Sequence, residues 1–189
     1  MTRKERQLRS SSEEPGPRLN ELAELRERLQ AELRDLTDAA SLADTTAQAL
    51  AQTGRALDCT AGWSVADILG GGSIISMIKN NELDEALDLA SEANQHVSAL
   101  RQRLTRMPLS STADRLYADV ITRFADISLD NILIDLSVHH QITAARDHID
   151  SLLVHVCDIH AKLTDQVTAA QAELRTAEAE RRTLLRLVG

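Results

Sequence analysis

Apolar residues recur every seven positions along the first third of the chain: Leu22, Leu29, Leu36, Ala43, Leu50 and Leu57. The position four further on reads Arg26, Leu33, Ala40, Ala47 and Gly54. That spacing draws one narrow stripe on a helix, a coiled-coil seam that is leucine-rich first and small-residue-rich later. Pro17 suits a first helical turn, where its missing N–H costs nothing. The pattern predicts a helix from about Pro17 to Thr60, about 65 Å long and therefore projecting from any compact body.

After Gly62 the sequence predicts shorter pieces. Ser64 with Asp67 resembles a reciprocal cap for residues 63–69, and a glycine triplet separates these from residues 73–79. Asn81 followed by Glu82, Asp84 and Glu85 reads as the start of a new helix. Its stripe is Leu83, Ala86, Ala90, Ala93, Val97, Leu100 and Leu104, and Pro108 closes it. Ser111 with Asp114 caps a further piece with Tyr117, Val120, Ile121 and Phe124 on its inner face. Residues 128–187 then read as one helix of about 90 Å. Its early part, 132–138, is apolar almost all round, as in a helix buried on several sides. Its stripe is Ile149, Leu152, Val156, Ile159, Leu163, Val167, Ala170, Leu174, Ala177 and Leu184, with a phase slip where two steps of four meet at Leu163.

Two long helices near the termini, each with one narrow seam, are expected to pair antiparallel. The register sets Leu19 beside Arg186, Leu36 beside Ala169, Leu50 near His155 and Cys59 beside Arg146. The expected fold is all-α: a long antiparallel coiled-coil stalk with a short helical-bundle head. Residues 1–16 form a disordered basic tail, and residues 17–189 form one helical domain. In that domain about 17–54 pair with 151–188 as the stalk, and about 55–150 form the head.

Composition narrows the function. Of 189 residues 43% are hydrophobic, yet aromatics make up only 2% (Trp63, Tyr117, Phe124), with seven Gly and three Pro. An aromatic-poor, turn-poor chain is a poor candidate for a sheet-based enzyme. A net charge of −8 argues against general nucleic-acid binding, which needs excess Lys and Arg. No apolar run reaches transmembrane length and residues 1–12 lack a secretory core, so a cytoplasmic location with reduced Cys59 and Cys157 is expected. The Ala/Leu/Arg/Asp-rich, Lys-poor usage points to a bacterial source.

The chemistry-bearing side chains do not converge. Of the six histidines, His139, His140, His148, His155 and His160 sit on the last predicted helix, with His96 elsewhere. Zinc needs three or four ligands from converging elements, and a di-iron bundle needs Glu-x-x-His twice, which is missing. No nucleophile-elbow, Walker or dinucleotide-binding pattern occurs, so no catalytic residue, cofactor or metal is expected. The most unusual stretch is residues 63–79. It holds the only Trp and offers the candidate partner contact: Trp63, Ile68, Leu69, Gly70, Gly71, Gly72, Ile74, Ile75 and Met77.

That stretch resembles a family of uncharacterised bacterial helical proteins. Their segment reads Trp, a spacer, Gly-Gly-Gly-x-Ile-Ser-x-Met-x-Lys, then Asp-Glu-Ala. Here it falls on Trp63, Gly70 to Gly72, Ile74, Met77, Lys79 and Asp84-Glu85-Ala86, with Ile75 in place of Ser and Asn80 in place of His or a basic residue. The resemblance covers about 40 residues, 63–104, and implies a helical hairpin with no assigned activity. The expected function is therefore a non-catalytic intracellular interaction or scaffold protein. It would act through a protein partner or self-association, along the seam edge at about 40–54 or at residues 63–79. The alternative is a membrane-active protein that inserts residues 63–79.

Overall fold

The computed structural model describes residues 15–68, 73–107 and 139–188. The described residues form three helices and no strand: α1 (Pro15–Ile68), α2 (Ser73–Arg106) and α3 (His139–Val188). Residues 1–14 of the expected tail, the piece carrying Tyr117 and Phe124, and the multiply buried run 132–138 lie outside the described residues, while Pro15 and Gly16, expected in the tail, open α1 because proline suits a first helical turn.

Two expected boundaries shift. Helix α1 starts at Pro15 and runs through Gly54 and Gly62 to Ile68, so the separate piece expected at 63–69 is instead its last turns. A helical glycine costs only about 1 kcal/mol, which tertiary packing readily offsets. Helix α2 is one element from Ser73, so the start expected at Asn81 is overrun. A cap is worth about 1 kcal/mol, while an uninterrupted helix leaves no end there to cap. At the other end, Met107 donates to the Leu104 carbonyl at 3.3 Å and the helix stops at Arg106, where Pro108 disfavours continuation.

The chain divides into two compact units, the first of residues 1–37 with 164–189 and the second of residues 38–163. In the first unit, α1 buries Leu22, Leu29 and Leu36, and α3 buries Ala170 and Ala177. The companion positions Arg26, Leu33, Val167 and Leu174 are only half-buried. Arg18 ties the two helices, donating through Nε to Glu180 Oε1 at 2.8 Å and through Nη1 to Glu21 at 2.9 Å.

In the second unit three helix segments share one core. Helix α1 buries Ala39, Ala43, Thr46, Ala49, Leu50, Thr53 and Leu57. A buried companion row lies three residues after the heptad positions, at Ala39, Thr46 and Thr53, and of the row four residues on, which the sequence suggests, Gly54 is buried. Ala40 and Ala47 are half-buried. Helix α2 contributes Ala86, Ala90, Ala93, Val97, Leu100 and Leu104, as its stripe predicts, and α3 contributes Ile142, Ala145, Ile149, Leu152, Val156, Ile159 and Leu163. A fully buried leucine here supplies about 2–3 kcal/mol. The small residues between let helix axes approach closely. Both buried threonines bond backward: Thr46 Oγ1 donates to Leu42 O at 2.7 Å and Thr53 Oγ1 to Ala49 O at 3.0 Å, so neither hydroxyl is stranded.

Candidate interaction surface

The nine expected contact residues separate by element. Trp63 and Ile68 lie on the last turns of α1, and Ile74, Ile75 and Met77 on the first turns of α2. Leu69, Gly70, Gly71 and Gly72 lie outside the described residues, as do the side chains of the other five. The backbone thus brings two helix ends together in sequence around the triplet, and their side-chain surface is not part of the described structure.

The other expected contact, the seam edge at about 40–54, is mostly covered by the chain's own helices. Thr46 Oγ1 also approaches the His96 carbonyl of α2 at 3.4 Å. At Gly54 an added Cβ would stand 3.3 Å from Arg146 Cζ of α3. The missing side chain lets this guanidinium lie across α1 and reach Asp58 Oδ1 at 2.8 Å through Nε, while Nη1 pairs with Asp150. Bonds to Asp150 and then Asp58 raise the Arg146 pKa above its ordinary value. Arg18 is raised in the same way by Glu21 and Glu180. Helix α2 adds Arg103 Nη2 to Asp38 Oδ2 at 3.3 Å.

A shallow groove of about 390 Å³ opens between α1 and α2 within the second unit, lined by Gln52, Arg55, Ala56, Cys59, Glu85 and Leu89. Sequence reasoning passed over it. Its only signal is that Ala56 and Leu89 flank the two buried stripes, and the polar lining resembles any solvated helix face.

The histidines serve local roles. His155 Nδ1 bonds the Ser151 carbonyl at 2.6 Å, and His96 Nε2 lies 3.8 Å from Glu92 Oε1. His148 is partly buried, and desolvation holds its pKa below the ordinary value. Its Nε2 has no hydrogen-bond partner among the described residues. Among those residues no three His, Cys, Asp or Glu side chains are grouped to hold a metal ion. Cys59 and Cys157 are both free thiols and exposed. No helix among the described residues is long and apolar enough to cross a membrane. No family model, curated protein or solved structure matches the chain.

Proposed function

We propose that the chain is a non-catalytic scaffold of the cell interior, an antiparallel coiled-coil stalk with a helical-bundle head, engaging a protein partner or a second copy. The observation that carries this reading is the burial along α1. Its heptad positions from Leu22 to Leu57 are buried without a gap, while its charged side chains are exposed or half-buried. A sequence so committed to one long seam is built for rigidity and contact. The pairing direction has support too. Within the first unit Arg18 near the start of α1 meets Glu180 near the end of α3, as an antiparallel pairing expects. The resemblance over residues 63–104, which implies a helical hairpin and no activity, agrees with this reading.

The test is Leu29→Asp combined with Leu36→Asp in the full chain. Melting followed by circular dichroism is expected to fall, and recovery of crosslinked partners or self-complexes is expected to be lost. Unchanged melting refutes the seam. Liposome flotation separates the membrane-active alternative: the scaffold does not float, whereas binding abolished by Ile75→Asp overturns the scaffold reading.

A further inference from the structure

We draw no further inference here: the strongest candidate, the shallow groove between α1 and α2 of the second unit lined by Gln52, Arg55, Ala56, Cys59, Glu85 and Leu89, carries nothing, because Cys59 stands there as a lone exposed thiol and nothing in the structure shows what covers the groove.

Discussion

The same seven-residue series runs along α1 through both units, yet the two bury different companions. In the first unit α1 buries leucines and α3 buries alanines, and the row four residues on is half-buried. In the second unit the row three residues on, Ala39, Thr46 and Thr53, is fully buried within a core to which α2 and α3 also contribute, and the His96 carbonyl of α2 lies 3.4 Å from Thr46 Oγ1. The heptad therefore records that a helix has a buried face. The size and polarity of the companion row record how many neighbours share it. Large side chains fill the space between two helices, while small ones bring three helices close.

Truncation should break that comparison most forcefully. Leu50→Ala, at a fully enclosed position, is expected to cost about 4 kcal/mol, and Leu29→Ala about 2 kcal/mol because a two-helix layer relaxes into the gap more readily. Urea denaturation of the two variants measures the order, and a larger loss for Leu29→Ala contradicts the contrast between units.

The helical class and the buried stripes of the described helices were legible in the sequence because their signals are periodic. All six described members of the α2 stripe, from Ala86 to Leu104, are buried. The threonine row was not legible. Threonine reads as polar, and nothing in the sequence says that Thr46 and Thr53 hand their hydroxyl protons to Leu42 and Ala49. Register was only half legible. Asp58 meets Arg146, one residue from the expected Cys59, but Arg18 meets Glu180, a full heptad short of the residue expected opposite it. Apolar spacing places the buried faces but not which charged side chains reach across them. The site at residues 63–79 was singled out because it breaks the helical composition, and its side chains lie outside the described residues.

Smaller effects sharpen the comparison further. Arg146→Ala removes a guanidinium held by two carboxylates and is expected to cost about 1 kcal/mol or less. Arg18→Ala, at a more exposed guanidinium in the first unit, is expected to lower the melting temperature less. Both shrink as salt is added. Thr53→Val loses only a bond within its own helix, and Thr46→Val loses in addition a long 3.4 Å approach to the His96 carbonyl, so each should alter stability by about 1 kcal/mol or less. A large loss in Thr53→Val would mean that its hydroxyl does more than bond its own helix.

The smallest expected effect is that of pH. Burial lowers the His148 pKa in the folded chain. As pH falls through about 6.5 the unfolded chain takes this proton first, so stability declines with acid until the folded-state pKa is passed. His148→Gln should flatten that decline between pH 7 and pH 5 in thermal melts. An unchanged slope would remove His148 as its source.

The claim under all of this is that the beginning of α1 lies along the end of α3. Nitroxide labels at Arg18→Cys and Glu180→Cys, with Cys59→Ser and Cys157→Ser, read it by pulsed electron paramagnetic resonance in samples diluted with unlabelled chain. A narrow distribution at the short limit of the method is the predicted result, and a broad or long one contradicts the pairing.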